Sequence, residues 1–148
     1  MPLANPRVIP DDWSAHHQPT AAGQMLSECV ITRPTGAGAT FDEATAVTTT
    51  PDPELVYEGP CREQLLNRAQ VGATPSADRD VTVRQWRVCI DVRIAGGSDV
   101  QVNDLVEVTG SPDDPSRAGV RLQVVDVGGG TLVWQRDLIC VDYAATSR

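Results

Sequence analysis

The sequence predicts an all-β fold: a small antiparallel β-barrel or sandwich of about six strands, with long loops and a short, partly helical N-terminal arm. Three observations lead there. From Ser27 onward apolar residues recur at every second position in six short segments, the signature of half-buried strands. The stretches between those segments are long, polar and rich in Gly, Thr and Pro, which terminate regular structure. Little of the chain carries a helical period, and closing such strands into a barrel removes exposed edges.

The arm comes first, residues 1–26, ahead of a barrel domain at 27–148. Pro2, Pro6, Pro10 and Pro19 punctuate it, so it has room only for short helices. "PDDWSAHH" offers Asp11 or Asp12 as an N-cap, and "PTAAGQMLSE" a second short helix starting near Pro19. Trp13, Met25 and Leu26 are too apolar for a free tail and too few for a core, so they read as docking anchors.

"ECVITRP" is a first strand, closed by Pro34, and the polar segment from Thr35 to Pro53 is an extended loop. "ELVYEGPCREQLL" is a second strand, with Gly59-Pro60 at a bulge or edge because Pro cannot donate to a ladder. A loop over Asn67–Asp80 leads to "TVRQWRVCIDVRI", the clearest strand. Trp86, Val88, Ile90, Val92 and Ile94 share one of its faces; Gln85, Arg87, Asp91 and Arg93 share the other. "GGSD" bends the chain, "DLVEVTG" is a fourth strand, and "SPDDPSRAG" a loop. "VRLQVVDV" and "TLVWQRDLICVDY" then flank Gly128, Gly129 and Gly130. A phosphate cradle needs glycines that open a helix, usually with a Lys alongside; here a strand follows, so the glycines are a hairpin bend tolerating positive φ. Broken alternation at Gln135, Arg136 and Asp137 suggests a bulge or corner in the last strand.

With 41% hydrophobic and 22% charged residues over 148 positions, the chain has the balance of one globular domain. All twelve basic residues are Arg; with twenty acidic ones the net charge is −8, which disfavours a nucleic-acid clamp. Cys29, Cys61, Cys89 and Cys140 are far apart in sequence, with no CxxC pair and no His at ligand spacing. They are expected to be reduced, packed thiols, a disulfide being the alternative, and zinc is not expected. No run of about 18 apolar residues could cross a bilayer, and the N-terminus does not read as a signal peptide, so no membrane partner is expected and synthesis and use in the cytoplasm are.

No catalytic constellation emerges, and neither a cofactor nor an enzymatic activity is expected. Adjacent His16 and His17 on a helix point about 100° apart, so a metal would need ligands from elsewhere. There is no nucleophile elbow. The pairs Asp11-Asp12 and Asp113-Asp114 lack the alternating spacing of a calcium loop and read as solvated turn residues. Arginine on strand faces is more informative: Arg84, Arg87 and Arg93 lie on or near one strand and Arg62 and Arg68 flank another. With Trp13, Met25, Leu26 and the acidic Asp113 and Asp114, they are the candidates for contacts between copies of the chain, ordinary solvated faces being the alternative.

The order "CVITRPTG", "VYEGPCR", "RQWRVCIDV", "VNDLVEVTGSPDDPSRAGVRLQVVDV" and a terminal hairpin resembles the head–tail joining and head-closure (stopper) proteins of tailed bacteriophages with long non-contractile tails. The resemblance runs from about Ser27 to Tyr143. Its most specific pieces are "GPCR" and the turn at Asn103-Asp104 that leads into a strand, a Pro-Asp-Pro-type loop and a V-x-D-V strand. It implies a cyclic ring of identical subunits, hexameric or dodecameric, in the neck of a virion assembled in the host cytoplasm. The ring would sit between a portal or adaptor protein and a tail terminator or tail tube protein, and genomic DNA would pass through its channel without specific binding. An adaptor, a tail terminator or another neck ring is the neighbouring reading. A cellular small-barrel interaction domain that binds a peptide is the alternative of another class.

Overall fold

A computed structural model describes residues 12–36, 40–43, 46–49, 51–66, 84–130 and 134–143. One helix, α1 (Trp13–Ala22), precedes eight strands: β1 (Ser27–Arg33), β2 (Thr40–Asp42), β3 (Val47–Thr49), β4 (Glu54–Leu65), β5 (Gln85–Ile90), β6 (Leu105–Gly110), β7 (Arg121–Val127) and β8 (Arg136–Asp142). Six of them close into an antiparallel barrel in the order β1-β4-β5-β8-β7-β6, and β2 and β3 form a separate two-stranded hairpin. The barrel strands are the six segments that alternate in the sequence.

Alternation is what fills the barrel. Cys29 and Ile31 of β1 and Tyr57 and Cys61 of β4 point inward with Val88 and Ile90 of β5. They meet Val106 of β6, Leu122 and Val124 of β7, and Leu138 and Cys140 of β8. All are buried, each aliphatic side chain contributing about 1.5–3 kcal/mol. β4 is long enough to serve two neighbours, pairing with β1 over Glu54–Cys61 and with β5 over Cys61–Leu65. Irregularities between Ile31 and Thr32, Glu28 and Cys29, and Val124 and Asp126 bend the sheet toward closure.

Several expectations are corrected. α1 is a single helix that runs through Pro19, rather than two short ones divided there. The carbonyl that Pro19 leaves without its helical donor belongs to Ala15, which is exposed to solvent. The segment Thr35–Pro53 holds the β2–β3 hairpin in addition to loop. β5 stops at Ile90, and Val92 and Ile94 lie in the turns that follow. Pro60 sits in register opposite Glu28, and the irregularity in that ladder lies at Val56 instead. Similarly, the irregularity expected at Gln135–Asp137 falls on the facing strand, at Val125, while β8 starts at Arg136.

The triple glycine does join β7 to β8. Gly128 does not take a positive φ; it is needed for close approach, because a Cβ there would lie 3.0 Å from the Asp137 carbonyl oxygen. Positive φ is used at Gly96, φ +81°, in the "GGSD" turn, where a Cβ would fall 1.6 Å from the Val56 carbonyl oxygen. That turn lies directly on β4.

Candidate interaction surface

The ends of the barrel are closed by ion pairs. At one mouth, formed by the ends of β1, β5 and β7 and the starts of β4, β6 and β8, the buried carboxylate of Asp104 accepts from Arg33 Nε (2.9 Å) and Nη2 (3.0 Å) and from the Gln101 backbone N–H (2.8 Å). Asp104 is brought there by a turn in which Asn103 has φ 77° and donates its N–H to the Val124 carbonyl. The pairing raises the Arg33 guanidinium above its ordinary pKa. Arg33 Nη2 and Arg136 Nη1 also hold the Gly96–Asp99 turn, donating to the carbonyls of Asp99 and Ser98.

The opposite mouth repeats the device with different residues. Glu63 follows Tyr57 and Cys61 in the inward phase of β4, and its side chain is buried. Arg117, on a single 3-10 turn at Pro115–Arg117, donates to Glu63 Oε2 from Nη2 (2.6 Å) and Nε (3.1 Å). The same guanidinium lies 3.9 Å above the ring of Trp86, a cation–π contact, and Trp86 Nε1 donates to Asp142 (2.9 Å). Asp114, a candidate from the sequence, caps this turn by accepting from Ser116, and Asp113 is exposed beside it.

Other contacts lie on the outside of the barrel. α1 and the turn that follows it are tied to the outside of the barrel at a few points. Gln18 donates to Asp91 (3.1 Å), Arg62 donates to Gln24, and Trp13 and His17 stack on Trp134 with ring centroids 4.7 and 5.8 Å away. Met25 is buried as an anchor and is therefore consumed within the chain's own fold; Leu26, expected beside it, is 58% exposed. Arg62 also reaches Cys89 Sγ (3.6 Å), Arg87 lies 3.9 Å from Asp137, and Arg84 and Arg93 are exposed. Arg68 lies outside the described residues.

Each cysteine is a free, buried thiol. Cys61 and Cys89 cannot bond, since Cys61 pairs with Ile90 inside the barrel while Cys89 faces out beneath Arg62. Burial, and Asp137 beside it, push the Cys89 thiol up to about 11, and burial pushes Cys140 up to about 12. Among the described residues no three His, Cys, Asp or Glu side chains converge as a metal site requires, and no helix is long and apolar enough to cross a membrane.

Sequence reasoning missed two external features. The β2–β3 hairpin carries Phe41, the chain's one phenylalanine, 60% exposed. At the hairpin's root lies a groove of about 510 Å³, walled by Pro34, Pro51, Pro53 and Leu105 and edged by Glu107 and Arg121. Arg121 Nε donates to Glu107 (2.8 Å) across its rim. The signal available was the aromatic residue itself, isolated in a Thr-rich segment.

No curated protein and no solved structure matches the chain. A family model matches residues 17–141, from within α1 into β8, and so covers all of the barrel just described except Asp142. The chain therefore belongs to DUF6093, a family of unknown function.

Proposed function

We propose that the chain is a structural head-to-tail connector, a head-closure or stopper-type neck protein of a phage with a long non-contractile tail. Copies form a ring between a portal or adaptor protein and the tail, and DNA passes through it. The observation that carries this reading is the division of labour in the fold: a barrel packed solid and tied at both mouths, with its apolar and charged contact material on the outside, on a projecting hairpin and around α1. A scaffold of this kind offers surfaces to other proteins rather than a cleft to a substrate.

The segments that carry the resemblance also support it, because they are the ones that brace the barrel against each other. Arg33 of "CVITRPTG" holds Asp104 of the Asn103-Asp104 turn, and Arg62 of "GPCR" reaches Cys89 of "RQWRVCIDV". The net charge of −8 suits a passage that duplex DNA traverses without adhering, since the counterion release that drives such binding needs clustered cations. Imaging the purified chain with and without portal-type and tail-type neck proteins tests the proposal. Rings of uniform subunit number on a partner's surface are the expected result; tight binding of the isolated chain to duplex DNA at physiological salt would overturn it.

A further inference from the structure

We propose that the β2–β3 hairpin is an intermolecular arm whose Phe41 seats in the groove at the root of the same hairpin on a second copy of this chain. The inference deepens the connector reading, on which it rests for the existence of contacts between copies. A two-stranded hairpin is at best marginally stable by itself in water, and this one, of two three-residue strands, stands apart from the barrel sheet. It nevertheless presents a large aromatic side chain to solvent. Phe41 is 60% exposed, so it is not seated in the groove of its own copy.

The groove fits that side chain in kind. Three prolines and Leu105 give it apolar walls, and its rim carries Arg121, whose side chain is 57% exposed and bonds Glu107 through Nε only. Among the described residues the two amino groups of Arg121 have no acceptor. The arm brings acid close to its aromatic residue, Glu43 lying two positions after Phe41 and exposed. An aromatic anchor with a carboxylate close by thus meets an apolar slot edged by a guanidinium, the pairing of central anchor and charged rim that specific interfaces use.

Arm and groove are different surfaces, so a one-way contact is heterologous: each copy that fills one neighbour's groove has its own filled by another, and the association propagates until it closes into a ring, whereas reciprocal exchange between two copies would stop at a two-fold dimer.

Disulfide trapping between two singly substituted full-length chains tests this directly. Thr48→Cys, an exposed position paired in register with Phe41 so that the aromatic anchor stays, is placed in one chain and Thr35→Cys, an exposed position lining the groove, in the other, with a size tag on one of them. The native thiols are buried, so mild oxidation with oxidised glutathione reads the introduced pair. The expected product is a tagged–untagged covalent dimer well above that of a control pair with Glu28→Cys replacing the groove cysteine. Adding Glu43→Arg to the arm chain should lower its yield several-fold, and Arg121→Glu in the groove chain should restore it. A yield no higher than the control overturns the arm, as does a preference for arm-to-arm dimers of the Thr48→Cys chain, which would assign edge pairing of hairpins. Rings on a neck partner without the trapped dimer would remove the arm alone. Trapped dimer without rings on any such partner would leave the arm standing and remove the connector.

Discussion

Glu63 and Asp104 are carboxylates aimed into an apolar barrel, and each is tolerable only because an arginine reaches it from elsewhere in the chain. Removing the arginine should therefore cost more than removing the acid. Arg117→Ala leaves Glu63 buried without its charge partner and should lower stability by about 3–5 kcal/mol, whereas adding Glu63→Gln should recover a large part of that. Urea unfolding of the two variants checks it, and Trp86 fluorescence should change with Arg117, which covers the ring. Half of this arrangement was legible beforehand. Once Tyr57 and Cys61 are placed inward, Glu63 falls in the same phase, and an inward acid demands a partner. Nothing in the sequence named that partner, because Arg117 reaches Glu63 across 54 residues and Arg33 reaches Asp104 across 71.

Elements that bury one continuous face were the readable ones. The six barrel strands show the two-residue rhythm because each has a filled interior on one side and solvent or α1 on the other. The hairpin was missed because strands of three residues give a two-residue rhythm no room to show itself. Pro19 reads in the sequence as a helix start, yet a surface helix loses only one hydrogen bond to it. α1 itself is held by few contacts, and this makes a prediction. Cys89 faces outward, and the residues around it on that surface, Arg62 and Asp91, are held by Gln24 and Gln18 of the arm. Loosening the arm with a Trp13→Ala, Gln18→Ala double variant should speed modification of Cys89 by a thiol reagent several-fold. Cys29, Cys61 and Cys140, inside the barrel, should stay protected, as peptide mapping would report. The "GGSD" turn is the opposite case: Gly96→Ala drives a Cβ into the Val56 carbonyl at a positive φ, and a fall in thermal midpoint of several degrees or failure to fold is expected.

For the molecule as a whole, the packed thiols set an alkaline limit. Burial pushes the Cys89 thiol up to about 11 and the Cys140 thiol up to about 12, and the hydrogen bond with the Cys61 thiol, then burial, pushes Cys29 higher still, against an ordinary value of 9.0. Above that ordinary value the unfolded chain sheds protons that the folded one retains. Stability is therefore fully present below about pH 9 and declines as pH rises toward 11 and 12. Thermal midpoints measured from pH 8 upward should be flat and then fall, and Cys140→Ala should make the fall shallower while lowering the starting point. Closure of the sheet, which buries Cys29 and Cys140, also leaves no edge on the barrel, so the proposed contacts between copies fall to side chains and the hairpin. The central claim is that this solid barrel works by assembling. Mass measurement of the chain bound to a portal-bearing neck particle tests it most directly: one discrete, cyclic number of copies per particle is the predicted result, and a chain that stays monomeric and unbound beside such particles would contradict it.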